Sequence, residues 1–381
     1  MPPPIEIVSA EGGRARAQFL DLPYHLHHDD PRFVPPLRRD QKTLFDRSRH
    51  PFFQHADAGF FLARRDGRPV GRIEAVVNHA HNRFHDDRVG FFGAFECEPS
   101  EAVAAALIER AAEWLRARNL DVMRGPVTHS TNEECGLLVD GFEQPPFVGM
   151  PYNPPHYAAL LEAAGLTNAK DLHTWELLLD GSISELLEQF AAMVRQDGRL
   201  RIRHVDLTNY AREVRVLMDL YNACWERNWG FVPLTEAEFM FTAEQLRPLV
   251  ARYPEGAVIA EVDGEPAGFC LAVADANQAL IKLRTGRLLP FGFLRLSLGL
   301  RRVTQARLLA LGVRAEFRRS GLEAVFALEL MKLGQRLGFC RAELGWTLED
   351  NRAVRRIIER AAAAVTLRRA KTYRLYDLAL R

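Results

Sequence analysis

The sequence predicts a mixed α/β fold (α+β mixed sheet) built twice in tandem, and three observations carry that prediction. The first is an internal repeat. Phe60–Ile73 reads FFLARRDGRPVGRI and Val258–Cys270 reads VIAEVDGEPAGFC, so both contain A-x-x-D-G-x-P-x-G. Its members are Ala63, Asp66, Gly67, Pro69 and Gly71, then Ala260, Asp263, Gly264, Pro266 and Gly268. Asp-Gly between two apolar runs is a hairpin signal, because both central residues of the tight turn take positive φ. The second observation is a matching order of elements after each hairpin. The third is that Asn153 and Asn351, each opening a helix, lie almost as far apart as the two hairpins.

The elements come in order along the chain. After the first hairpin an apolar strand at Val89–Phe95 leads to a helix at Glu101–Asn119, whose apolar residues recur at helical spacing. A strand at Val122, a helix at Pro155–Ala164 and a closing strand at His173–Leu179 come next. After the second hairpin the order returns: strand Arg307–Val313, helix Leu322–Leu337, strand Ala342–Trp346, helix Arg352–Ala362 and strand Thr372–Leu378. We read a duplication, residues 1–180 and 181–381, with a linker near Asp180–Ser184. Each copy is a mixed sheet with helices on its faces.

Composition bounds the function. A chain of 381 residues has room for two domains. Fifty Lys and Arg against 49 Asp and Glu argue against a dedicated nucleic-acid binder, so no nucleic-acid partner is expected. Five scattered cysteines without a CxxC pair fit a reducing cytoplasm rather than a disulfide framework, and no metal site is expected. The N-terminal MPPPIEIVSAEGG lacks a signal-peptide pattern, and no apolar run reaches membrane-spanning length. A cytoplasmic protein is expected, with peripheral contact at the inner membrane face as the alternative.

The segment LGVRAEFRRSGLEAVFALEL, Leu311–Leu330, is the most informative. An apolar strand ending at Val313 runs into Arg318-Arg319-Ser320-Gly321 and then into an amphipathic helix. Such a turn presents unpaired N–H groups at the positive end of the helix dipole, which suits a diphosphate. Gly321 permits close backbone approach, and the two arginines can add charge-assisted bonds. The alternative is a surface turn with solvated arginines. Downstream, Asn351 comes after Glu349 and Asp350, and either Asp350 or Asn351 can cap the next helix.

These features resemble the GNAT (GCN5-related N-acetyltransferase) family. Arg318 matches the first position of its pyrophosphate loop R/Q-x-x-G-x-G/A and Gly321 the middle glycine. Glu323 departs from the last small position. GWTLEDNRAVRRIIERAAAAVTLRRAKTYRLYDL resembles the closing motif, with Asn351 at the place of an asparagine that holds pantetheine or a splayed strand. The resemblance implies two tandem GNAT-like domains, the second binding acyl-CoA or acetyl-CoA as co-substrate through Val313, Arg318, Arg319, Ser320, Gly321 and Asn351. The reaction needs a base for the amine, with Glu349 the first candidate and Glu343 the second. The tyrosine that protonates sulfur in many GNAT enzymes corresponds to Ile358. Tyr373 and Tyr376 are substitutes by sequence, although an alternating strand makes either a packing residue as readily.

The first copy lacks the loop: FECEPSEAVAAALIERA has no arginine or glycine before its helix, and Glu96, Glu98 and Glu101 would repel a diphosphate. It carries instead the long polar and aromatic stretch Gly125–Tyr157, which is expected to pack on the second copy or to line the acceptor site, with Asn132 and Glu133 as candidate contacts. His129 is expected at the surface. Trp225, Trp229 and Phe231 form either an aromatic acceptor wall or core. Between Ala276 and Ala315 there is no acidic residue, and Leu288–Val303 is intensely apolar between arginines. That stretch is either an interfacial helix for anionic lipid or acyl chain, or a helix packed on the body.

Over its length the chain resembles a bacterial group of double-GNAT proteins, through DPRFVPPL, NEECGLLVDGF, CWERNWGFVPLTEAEF and EDNRAVRRIIERA. Most of that group has no assigned substrate, and within it the chain is similar to acyltransferases that place a long acyl chain from acyl-CoA on a sphingoid amine. The resemblance thus implies an acyl-CoA-dependent N-acyltransferase acting on a primary amine, with a lipid acceptor in view. A FemABX-like aminoacyl transferase and a non-catalytic binding protein of the same fold are the alternatives.

Overall fold

A computed structural model describes residues 4–179, 183–226, 228–352 and 366–381. In chain order the first half runs β1 (Ile5–Ser9), α1 (Gly13–Leu26), α2 (Arg38–Leu44), β2 (Ala56–Arg65), β3 (Arg68–Asn78), α3 (His79–His85), β4 (Val89–Cys97), α4 (Glu101–Arg116), β5 (Val122–Gly125), β6 (Leu137–Asp140), α5 (His156–Ala163) and β7 (Thr167–Leu178). The second runs α6 (Glu185–Arg195), β8 (Leu200–His204), α7 (Tyr210–Trp225), α8 (Glu236–Val250), β9 (Ala257–Val262), β10 (Glu265–Ala274), α9 (Asn277–Leu280), α10 (Gly292–Leu300), β11 (Gln305–Val313), α11 (Leu322–Arg336), β12 (Arg341–Leu348) and β13 (Leu367–Ala379). The fold is the mixed α/β fold that the repeat predicts. The expected helix Arg352–Ala362, Ile358 within it, and most of the expected linker lie outside the described residues.

Both hairpins form as read. Asp66 and Gly67 turn at φ 51° and 74°, and Asp263 and Gly264 at 53° and 84°. The repeated glycine that ends the motif has a packing cause. A Cβ at Gly71 would lie 2.7 Å from Leu107 Cδ1 and 3.0 Å from the Glu96 carbonyl, and one at Gly268 would lie 2.8 Å from the Gly312 carbonyl. Only glycine lets the next layer approach so closely.

By compactness the chain divides into two units that do not coincide with residues 1–180 and 181–381. The first comprises Met1–Leu172, Asn277–Leu300 and Lys371–Arg381, and the second His173–Ala276 and Arg301–Ala370. In the first unit the sheet runs β1-β2-β3-β4-β5-β13, with β6 also on β13. Tyr376–Ala379 pair antiparallel with Gly125–Val122. The last strand, expected to close the second copy, thus closes the first unit's sheet, because the edge of β5 offers the backbone partners it needs. In the second unit the order is β12-β11-β10-β9-β8.

Each unit has its own core. In the first, α4 buries Val103, Leu107, Ile108, Ala111 and Leu115 against Phe61, Ile73, Phe92 and Tyr157. In the second, Leu322 and Phe326 of α11 pack on Val258, Ala260, Cys270 and Val313. No described helix is long and apolar enough to cross a membrane.

Candidate functional site

The second unit contains a pair of parallel strands that part company. β11 and β12 are in register only from Gln305–Leu308 against Arg341–Leu344, although they continue to Val313 and Leu348. The pairing of β10 with β11 slips at Leu271/Ala272, which leaves Leu309 as an extra residue at the point of parting. A bulge there bends the strand and re-aims its remaining residues. Residues 308 to 312 and 344 to 347 belong to this stretch, and Leu309, Ala310, Leu311, Gly345, Trp346 and Thr347 are half-buried. The result is a gap in the pairing of the two strands beyond Leu308 and Leu344.

The free arm of β11 delivers the chain to the start of α11. A short turn at Ala315–Phe317 is succeeded by Arg318, Arg319 and Ser320, all exposed, and by Gly321 at φ 82°. Gly321 is required twice over: its φ is left-handed, and a Cβ would lie 2.8 Å from Val194 Cγ2 and 2.9 Å from Phe190 Cε1. The Arg318 guanidinium reaches back toward the Val313 and Cys224 carbonyls, both at 3.4 Å. The first-turn N–H groups of a helix have no partner within it. Val313, Arg318, Arg319, Ser320 and Gly321 thus lie along the one segment that joins β11 to α11.

Glu323 stands in that first turn. Burial raises its carboxyl pKa, against a hydrogen bond from its own N–H and the charge of Arg318. The side chain thus folds onto one of the donors that an anion would use. Trp225 comes to the same region: a Cβ on Gly312 would lie 2.6 Å from its ring, and it stacks on Tyr221 with centroids 4.8 Å apart. It is half-buried, as is Trp229, whereas Phe231 is core.

The remaining candidates separate. Glu343 sits at the last paired positions before the gap, opposite Arg307, fully buried, with Oε1 3.7 Å from Arg307 Nε. Glu349 is exposed just beyond β12, and Asn351 donates its N–H to the Leu348 carbonyl at 3.1 Å. Tyr373, the candidate acid, lies on β13. It is fully buried in the first unit opposite Leu138, with its Cβ 2.9 Å from where a Cβ on Gly136 would stand. The alternation of β13 turns it into the core.

The first unit has the same parting of parallel strands, and there it is filled. β4 and β5 pair from Val89–Phe91 against Val122–Arg124, with a bulge between Arg72 and Glu74 of the neighbouring β3. The chain after β5 then crosses the gap. Val127 donates its N–H to the Phe92 carbonyl at 2.7 Å, and the Ala94 N–H reaches Thr128 Oγ1 at 3.3 Å. Cβ atoms at Gly93 and Gly125 would each lie 2.3 Å from a backbone carbonyl, of Val127 and Phe92 respectively.

Relatives fit this geometry. No family model matches the chain. It is 34% identical over 370 residues to the bacterial ceramide synthase of Caulobacter vibrioides (strain NA1000 / CB15N), covering 95% of this chain and 94% of that protein. It is 33% identical over 368 residues to protein YghO of Escherichia coli (strain K12), covering 94% and 91%. Among solved structures, a tandem GNAT protein from the clavulanic acid biosynthesis pathway superposes with TM-score 0.58 over 99% of both chains at 16% identity. The chain belongs to the bacterial ceramide synthase family. Its fold is the tandem GNAT fold, and the enzyme is a GNAT-type acyltransferase.

Within this family member the first unit carries polar groups that sequence patterns alone do not reveal. His129, expected at the surface, is fully buried: Nδ1 lies 2.9 Å from Glu74 and Nε2 2.7 Å from the Leu44 carbonyl. Burial alone would lower its pKa, and the Glu74 carboxylate reverses the shift upward. Glu133 lies 3.6 Å from His50, and the Asn132 N–H donates to Ser130 Oγ at 3.2 Å. Nearby, Glu96 accepts from His27 at 2.6 Å and from the Tyr157 hydroxyl at 2.9 Å, with Arg72 at 3.8 Å. Burial would raise the Glu96 pKa, and His27 and Arg72 hold it down. The signal for these groups was Arg72 and Glu74 within the apolar middle of the strand RPVGRIEAVVN. Among the described residues no three His, Cys, Asp or Glu side chains converge as metal ligands do.

Proposed function

We propose that this acyltransferase moves an acyl group from a CoA thioester to the nitrogen of a primary amine, with a long-chain, sphingoid-type base as acceptor. The relative named a ceramide synthase supports the lipid amine, and the repeat supports domains at 1–180 and 181–381, the second holding the donor. The observation that carries the reading is the parting of β11 from β12, which leads straight into Arg318–Gly321 and the start of α11. Amides of an extended pantetheine can pair with the free strand edges, while the diphosphate takes the N–H groups and arginines of the turn.

The chemistry asks little more. The amine nitrogen, once deprotonated, attacks the thioester carbonyl carbon, and a backbone N–H at the bulge is suited to the oxyanion. The C–S bond then breaks and sulfur leaves as thiolate, which takes a proton to give the CoA thiol. Glu349, exposed at the end of β12, is the base we favour. Glu343, locked against Arg307, is better placed to orient that strand. A thiol ionises near pH 8.5, so thiolate departure needs no strong acid, and the mechanism asks nothing of the buried Tyr373. The fold of Glu323 onto its own N–H favours a second reading, a binding protein that has lost the donor site.

The insertion bears on the acceptor. On and beside α10, Leu289, Phe291, Phe293, Leu294 and Leu298 are 57–80% exposed, among the exposed arginines Arg287, Arg295, Arg301 and Arg302. Its root is fastened to the first unit, where Arg284 donates to the carbonyls of Asp30 and Phe33 at 2.8 and 3.1 Å. Exposed apolar groups among cations suit an anionic membrane surface from which a lipid amine is drawn. Flotation with anionic vesicles should carry the wild-type chain upward, and Phe293→Ser/Leu298→Ser should leave it at the bottom. Equal flotation of both would remove the membrane from the reading.

The direct test is CoA release with acetyl-, octanoyl- and palmitoyl-CoA, offered sphinganine, 3-ketosphinganine or a polyamine. Release with palmitoyl-CoA and a sphingoid base, abolished in Arg318→Ala/Gly321→Glu, is the expected outcome. Silence throughout, without CoA binding, favours the binding protein.

A further inference from the structure

α6 stands ahead of the order strand, two helices, hairpin that both halves of the chain follow: β1, α1, α2 and β2–β3 in the first, β8, α7, α8 and β9–β10 in the second. It is an addition to the repeated fold, and two apolar stripes run along it. Leu187, Ala191 and Val194 pack with Val325 and Leu328 of α11 and with Ile202 of β8. The neighbouring stripe, Leu186, Phe190 and Met193, has the same i, i+4, i+7 spacing, yet these residues stay 72%, 43% and 57% exposed. Ion pairs fasten the helix to α11, Glu188 to Lys332 at 2.9 Å and Arg195 to Glu329. A surface helix turns one apolar stripe inward, and a second one left to water marks a binding surface.

The position of that stripe says what it binds. The Cε1–Cζ edge of the Phe190 ring abuts the turn before α11: a Cβ on Gly321 would lie 2.9 and 3.1 Å from those two atoms. Arg318 and Arg319, both exposed, come just before that glycine. In the strand order β12-β11-β10-β9-β8, the contact with Ile202 sets α6 toward β8, on the side of α11 away from the gap between β11 and β12. A CoA thioester has two arms on its diphosphate. With pantetheine in the gap and the diphosphate at the turn, adenosine leaves on the other side, where α6 lies. One ribose joins the base to the diphosphate, so the base stays close to the turn. Adenine is flat, with apolar faces that stack on aromatic rings.

We propose that Phe190 and Met193 of α6 form the seat of the donor's adenine ring, so that this enzyme selects a nucleotide-bearing thioester over the same thioester on a bare phosphopantetheine arm. The inference rests on the acyl-CoA reading and deepens it. The acyl chain belongs to the opposite end of the donor and does not reach this face.

The test is calorimetric titration of the full chain with CoA and with 4′-diphosphopantetheine, which is CoA without its 3′-phosphoadenosine. Phe190→Ala should weaken CoA binding about tenfold, the scale of one base stacked on an aromatic ring, and leave 4′-diphosphopantetheine unchanged. Phe190→Tyr, which keeps the ring, should keep the CoA affinity. Equal weakening of both ligands would make Phe190 a mere support of the turn and overturn the seat, as would a Phe190→Tyr as weak as Phe190→Ala. Unchanged CoA affinity in Phe190→Ala, with vesicle flotation or self-association lost instead, would give the face to a membrane or to a second copy. A wild type that binds CoA but not 4′-diphosphopantetheine would remove the diphosphate anchor from which the adenine is placed. Failure of the acyl-CoA reading itself shows separately, as a CoA titration that is flat in the wild type or indifferent to Arg318→Ala/Gly321→Glu.

Discussion

β4 with β5 and β11 with β12 start alike: parallel pairs of three or four residues that part at a bulge. They end differently. In the first unit Val127 and Thr128 spend their hydrogen bonds on Phe92 and Ala94, and Val89–Gly93 are buried. In the second, the arms after Leu308 and Leu344 stay half-buried and lead to exposed arginines. One gap has become core and the other has stayed a cleft. A duplication can thus divide labour without changing fold, by letting the chain fill one of two identical gaps.

The largest effect should come from the open gap's turn. Arg318→Ala/Gly321→Glu removes a charge-assisted donor and sets a carboxylate among the orphan N–H groups. CoA affinity should fall by about 100-fold or more, since each such contact is worth ~1.5–3 kcal/mol. Equilibrium dialysis with CoA reads this directly, and a fall below threefold would put the donor elsewhere.

Next in size is the filled gap. Gly93→Ala puts a methyl 2.3 Å from the Val127 carbonyl, a backbone atom that cannot swing away. Overpacking of that kind should cost ~2 kcal/mol or more. Gly345→Ala, on the β12 arm of the open gap at the place that Gly125 takes in the filled one, meets the Leu308 carbonyl only at 3.1 Å and should cost less than ~1 kcal/mol. Urea melts of the two variants compare them. Equal midpoints would mean that the two gaps are packed alike, and the comparison would break.

Much of this architecture is legible in the sequence, for reasons that differ by residue. Asp66-Gly67 and Asp263-Gly264 announce their hairpins because a tight turn is a local affair. The apolar spacing of α4 and α11 is local too, and Arg318–Gly321 lies in a single stretch. The features that escape such reading are non-local. β13 offers the same alternating pattern to any strand edge, so nothing in Thr372–Leu378 tells that its partner is β5. His129 reads as a turn residue until Glu74, 55 positions away, is seen to pair with it. The filling of the first gap by Val127 and Thr128 is a matter of backbone atoms, which every sequence has.

The smallest effect, and the sharpest for the comparison, concerns Glu323. Its carboxyl pKa is raised above the ordinary glutamate value by burial, the Arg318 charge and its own N–H opposing. A raised pKa means that the protonated form is favoured in the fold. Stability gained from it is complete below the unfolded-state pKa and is lost as pH rises through the raised one. Anion binding has the same sign: protonation removes a negative charge and frees an N–H in the first turn of α11, so CoA should bind more tightly as pH falls through that range. Glu323→Ala should bind CoA a few-fold, about 2- to 5-fold, more tightly at pH 7.5, since one partly solvated charge is worth ~0.3–1 kcal/mol near a helix N-terminus. It should also flatten the acid rise in affinity. If instead the variant binds CoA less well, the carboxylate is holding the turn in shape. The second unit's departure from the family loop would then be an adaptation of the open gap rather than a first step toward closing it.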